Sequence, residues 1–259
     1  MDLILFTQLV AMPLAILAVM YGALNLGVKL RRKHHRDDAD TEGLGVVDGG
    51  VFGLMGLLLA FAFSGAATRF DERRMLVVKE ANTIGTAWLR IDLLPEADQV
   101  QVREKFREYV DSRMETYLKM SNEETVRSEL ARSYVIQAEI WKLAVASAKD
   151  STNAAPEMLL LPALNEMFDV VNERSGHLMM HPPAAVYVLL VVVLILCGVL
   201  AGYRMGTSDR WSKLHRLSFV VILAITYYVI VDLEYPRLGV MRVDNYDRLI
   251  VQTRNSMDL

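Results

Sequence analysis

The stretch from Val46 to Leu94 constrains this chain more than any other. Its first part, Val46 to Thr68, is 23 residues long with Asp48 as the only formal charge. At about 1.5 Å per helical residue it crosses a hydrocarbon layer of about 30 Å. Its second part carries charge on one face and Leu76, Val77, Ala81, Ile84, Trp88 and Ile91 at helical spacing on the other. No Pro or Gly pair separates the two parts, so one helix is predicted to leave the membrane and continue into a water-exposed domain.

The rest of the chain fits this beginning. Hydrophobic residues make up 53% and charged residues 23%, which calls for apolar spans together with a sizeable polar part. A net charge of -3 provides no basic footprint for nucleic acid. Cys197 is the single cysteine, so neither an intramolecular disulfide framework nor a Cys/His zinc cluster is expected. Leu3 to Val28 reads as a retained first span, because Asp2 leads it and the basic residues follow, the reverse of a signal peptide. Ala184 to Tyr203 and Leu214 to Val231 read as the third and fourth spans.

Topology follows from the short loops. KLRRKHHR after span one and RMGTSDRWSKLHR between spans three and four are both rich in Lys and Arg, which places them in the cytoplasm and puts the central region and both termini outside. That central region shows helix punctuation throughout. Pro95, with Glu96 and Asp98, opens a second helix; Ser121 or Asn122 caps a third; Pro156 opens a fourth that ends at His181 to Pro183. The expected class is all-α, a four-span membrane protein with a helical bundle between spans two and three. The expected divisions are 1–68, 69–183, 184–234 and a tail, 235–259.

No catalytic constellation is present in the sequence, so an enzyme is not expected and no cofactor or metal is predicted. His177 and His181 stand at i, i+4 but lack a set of partner ligands in sequence. Gly49, Gly53, Gly56, Ala60 and Ser64 form a small-residue ridge on span two, which serves either packing within one subunit or an interface between subunits. Phe52, Leu59, Phe63 and Phe70 form a second stripe, suited to a core or to a pore axis. Asp48 is an ionisable group at the start of a span and a candidate by that position. Asp232 and Glu234 close span four at the level where Arg69, Asp71, Glu72, Arg73 and Arg74 leave span two. They read as a structural ion-pair network or as part of a permeation path.

The run GLLLAFAFSGAATRFDERRMLVVKEANTIGTAWLRIDLLP, with VDLEYPRLG after the last span, resembles the bestrophin-like family of membrane proteins. The residues that carry it include Arg69, Asp71, Glu72, Arg73, Arg74, Glu80, Ala81, Asn82, Gly85 and Thr86, then Asp232, Leu233, Pro236 and Gly239. Tyr235 and Arg237 depart from the pattern. The resemblance implies four spans, a long second helix that enters a helical domain, and a homo-oligomeric channel for small ions in the lipid bilayer. It also implies a cytoplasmic helical domain, against the charge of the short loops. The rival reading is a membrane-anchored sensor whose bundle binds a ligand or partner.

Overall fold

The structure is a computed structural model that describes residues 11–33, 44–118, 123–150, 153–206, 212–236 and 239–258. Among these residues there is no strand, and the chain is an all-α membrane protein. Its helices are α1 (Met12–Lys33), α2 (Leu44–Arg90), α3 (Glu96–Leu118), α4 (Glu123–Asp150), α5 (Leu161–Met179), α6 (Ala184–Met205), α7 (Ser212–Glu234) and α8 (Asp244–Asn255). Four of the helical segments are long and apolar enough to span a membrane. The 47 residues of α2 are unbroken, as the uninterrupted periodicity from Val46 onward predicts.

The chain divides into two compact units, 1–70 with 181–242 and 71–180 with 243–259. The membrane unit holds α1, the first part of α2, α6 and α7. Its core gathers Met20, Leu24, Leu59, Leu194, Cys197, Val220 and Ile230. Apolar burial drives little association between helices in lipid, so close backbone approach must supply the contact. Helices α1 and α6 achieve this through glycine. A Cβ at Gly27 would lie 2.0 Å from the carbonyl oxygen of Val199, and one at Gly202 would lie 1.9 Å from that of Leu24. Ala23 faces Gly198 in the same seam.

The helical unit holds the rest of α2 with α3, α4, α5 and α8. Leu76, Val77, Ala81, Ile84, Trp88 and Ile91 are all buried, so the apolar face read from the sequence is the face that packs. Rings continue the core from Trp88 through Phe106 and Tyr109 to Phe168, with centroids 5.7 to 6.3 Å apart. The Arg103 and Arg107 guanidinium carbons lie 4.2 and 5.0 Å from the centre of the Trp88 ring, adding cation–π contacts to this core.

Helix starts follow the expected punctuation. Pro95 immediately precedes α3, whose first turn carries Glu96 and Asp98. Pro156 opens a single wide turn, Pro156–Leu160, that leads into α5. The expected cap at Ser121 or Asn122 lies outside the described residues. The segment read as a tail contains α8, which buries Ile250 in the helical unit's core, and the short turn Ser256–Asp258 after it adds Met257.

Candidate functional site

Span two leaves the membrane unit beside the end of span four, and charge is concentrated there. The Arg69 guanidinium donates through Nε to both carboxylate oxygens of Glu234, at 2.9 and 3.1 Å, and through Nη2 to Oε1. Glu234 is 1% exposed at its side chain, so the pair is charge-assisted and mostly desolvated. Nδ1 of His181 is 3.6 Å from the same carboxylate, and its ring stacks on Tyr235 at 4.9 Å. A cavity of about 240 Å³ opens beside this cluster, lined by Leu58, Phe61, Gly65, Arg69, Tyr187, Leu190 and Glu234 among others.

Asp232 has a different task. Its carboxylate accepts from the backbone N–H groups of Val240 and Met241 at 2.8 to 3.2 Å and from the Tyr228 hydroxyl at 3.2 Å. It thereby closes the turn after span four. A Cβ at Gly239 would lie 1.5 Å from Asp232 Oδ1, so the carboxylate occupies the space that only glycine leaves open. This explains the pairing of Asp232 with Gly239 in the closing motif. Arg237 lies outside the described residues.

Arg73 and Arg74 also take separate roles. Arg73, 4% exposed, donates to the carbonyls of His177 and Met180 at 3.2 and 2.9 Å, satisfying orphan acceptors at the end of α5. Arg74 lies 3.5 Å from Asp71 and 5.1 Å from the centre of the Tyr246 ring. His177 approaches Glu72 at 3.8 Å, so the two histidines noted at i, i+4 serve different carboxylates.

At the other end of the spans, Asp48 accepts from Arg204 Nε at 2.5 Å. Phe52 packs edge-on against Phe219 at 6.2 Å and Leu59 is buried, so these two belong to the membrane unit's core, while Phe63 is exposed. The small-residue ridge behaves in the opposite way. Among the described residues, a Cβ at Gly49, Gly53 or Gly56 would meet nothing within 4 Å, and Ala60, Ser64 and Thr68 continue the same exposed face.

The most heavily buried polar cluster was not among the residues singled out as a site. Glu80, fully buried, accepts from Arg113 Nε at 2.8 Å, Arg174 Nη1 at 2.6 Å and the Tyr117 hydroxyl at 2.8 and 3.1 Å. Arg174 also donates to Asp247 of α8 at 2.7 Å. One carboxylate from α2 thus ties together α3, α5 and, through Arg174, α8. Burial alone would raise the Glu80 pKa, but the two guanidinium groups outweigh it and hold the carboxyl below its ordinary range. Only the motif membership of Glu80 marked it in the sequence. Beside it, a groove of about 660 Å³ runs between α2 and α5, lined by Glu72, Lys79, Asn82, Thr86, Glu173 and His177 among others.

The bestrophin-like domain model matches residues 14–246, nearly the whole chain. The chain belongs to the bestrophin-like family. A membrane protein of known crystal structure shares the fold with a TM-score of 0.69 at 14% identity, covering 95% of this chain and 98% of that one. No curated protein sequence matches. Within this bestrophin-like chain, Arg69, Glu80, Asp232 and Gly239 of the resemblance motif each have a defined structural task.

Proposed function

We propose that this bestrophin-like protein assembles as a homo-oligomer with the exposed ridge of α2 turned toward neighbouring copies, and that the assembly conducts small ions. One observation carries the reading. Among the described residues, Gly27, Gly198 and Gly202 sit where helices touch, whereas a Cβ at Gly49, Gly53 or Gly56 would have open space in front of it. Small residues let membrane helices approach closely, so an open ridge of this kind suits another helix better than lipid tails. Ser64 and Thr68 extend the ridge with hydroxyls, of which Thr68 Oγ1 donates to the Ser64 carbonyl at 2.9 Å. Ions require a polar or dewettable path, and these residues supply a weakly polar wall.

The groove on the helical unit favours a second reading, in which the bundle binds a ligand and the chain acts as a sensor. Mass measurement in detergent followed by ion flux in liposomes separates the two. An oligomer that conducts supports the channel; a monomer removes it, and an oligomer without flux leaves the sensor reading in front.

For orientation, we infer that both short loops face the cytoplasm, from their nine Lys and Arg residues. In cells, an impermeant thiol reagent is expected to label Lys149→Cys and not Lys213→Cys, while native Cys197 is buried and stays unlabelled. The reverse pattern would put the helical unit in the cytoplasm.

A further inference from the structure

We propose that the short-loop end of the membrane unit binds a phosphate oxyanion, supplied by the headgroup of an anionic lipid. Helix α1 ends with Arg31, Arg32 and Lys33, α6 ends with Arg204, and α7 begins with Lys213, His215 and Arg216. Short connections bring these helix ends to one side of the unit. Across 29–48 and 204–216 there are nine Lys and Arg against six Asp and Glu, and among the described residues there Asp48 is the single carboxylate.

Two of the cations are held in place. Arg31 is 8% exposed, with its guanidinium 5.3 Å from the centre of the Tyr203 ring. Gly206 makes room for its stem, since a Cβ there would lie 2.8 Å from Arg31 Cβ. Arg204 is anchored by Asp48 at 2.5 Å.

A third cation points to the ligand. Arg216 Nε is buried and has no hydrogen-bond partner among the described residues. A buried guanidinium N–H without an acceptor is costly, whereas a phosphate offers several acceptor oxygens and charge-assisted bonds. Anionic headgroups sit at the depth where spans end, and each nearby Lys or Arg strengthens their binding. Binding here does not require that the assembly conduct ions. The competing acceptor is the chain itself, because Asp37, Asp38, Asp40 and Glu42 lie between α1 and α2 in sequence.

The test uses the full chain in nanodiscs of phosphatidylcholine mixed with phosphatidylglycerol, with retained lipid read by native mass spectrometry. The wild type is expected to retain phosphatidylglycerol preferentially. Arg216→Gln should reduce that preference about fivefold, as should Lys213→Gln. Lys213 is exposed, so its loss does not threaten folding, and Lys149→Gln on the helical unit should change nothing. Competition by inorganic phosphate would identify the oxyanion alone as the ligand; persistence of the lipid would identify the whole headgroup with its chains. Equal retention of both lipids, or unchanged preference in both variants, overturns the proposal. So does a preference that emerges only when Asp37, Asp38 and Asp40 are all replaced by Asn, because those carboxylates would then be the natural occupants.

Discussion

Glu80→Gln is expected to destabilise the helical unit by about 3 to 5 kcal/mol, the range for breaking a buried ion pair by removing one partner. The replacement keeps the shape of the side chain and removes its charge. Two buried guanidinium groups, Arg113 at 2% and Arg174 at 5% side-chain exposure, would then share an amide whose NH₂ half can only donate. Asp247 offsets part of this at Arg174 and cannot reach the same end of the problem at Arg113 Nε, which is bonded to Glu80. Asp247→Asn should therefore cost less. Replacing Glu80, Arg113 and Arg174 together by apolar residues of similar volume should recover much of the loss, since no uncompensated charge would remain. The pH dependence has a fixed sign. Because the folded-state pKa of Glu80 lies below its ordinary value of 4.5, its contribution is present above that pH and is lost as pH falls through the lower, folded value. The stability gap between the wild type and Glu80→Gln should therefore be full above the ordinary carboxylate range and should shrink as pH falls below it. A variant within about 1 kcal/mol of the wild type at neutral pH would mean that the cluster is a solvated surface pair rather than the tie between helices.

What could be read in advance depended on the range over which each residue acts. The continuity of α2 and its buried face are local matters of spacing, and Leu76, Val77, Ala81, Ile84, Trp88 and Ile91 were legible for that reason. The charged residues at the span-two exit were legible as a set, but their individual partners were not. Arg69, Arg73 and Arg74 are close in sequence, yet one meets a carboxylate, one meets carbonyls at a helix end and one lies over a ring. The direction of each around α2, and the position of what it meets, decides among these. Glu80 was harder still, because its partners Arg113 and Arg174 lie 33 and 94 residues away. Helix α8 was hidden by its polar composition, since among its described residues Ile250 is the one fully buried apolar residue in the core, with Tyr246 and Leu249 only partly buried. Small residues posed the opposite difficulty. The ridge on span two was conspicuous, while the seam that joins spans one and three lay inside long apolar runs where a glycine attracts no notice.

These two sets of glycines predict opposite phenotypes. Gly202→Ala adds one methyl group, yet its Cβ would stand 1.9 Å from the Leu24 carbonyl oxygen and 2.8 Å from the carbonyl carbon. Both obstacles are backbone, so no side chain can rotate away, and α1 and α6 must separate to make room. The cost should be at or above the ~1 to 3 kcal/mol of ordinary overpacking, because separation also strips contact from the whole seam. Gly27→Ala should behave alike, with its Cβ 2.0 Å from the Val199 oxygen. Gly56→Leu is a far larger change in volume, but among the described residues nothing lies within 4 Å of the new Cβ. The subunit should therefore keep its helical fold, and the assembly should fall apart in detergent if α2 ridges face one another, with any loss in Tm reflecting the lost assembly rather than a damaged subunit. Measuring thermal stability and oligomeric mass for the same variants separates the two roles. A Gly56→Leu protein that remains fully assembled would place the subunit interface elsewhere, and a Gly202→Ala protein of unchanged stability would contradict the close approach of α1 and α6.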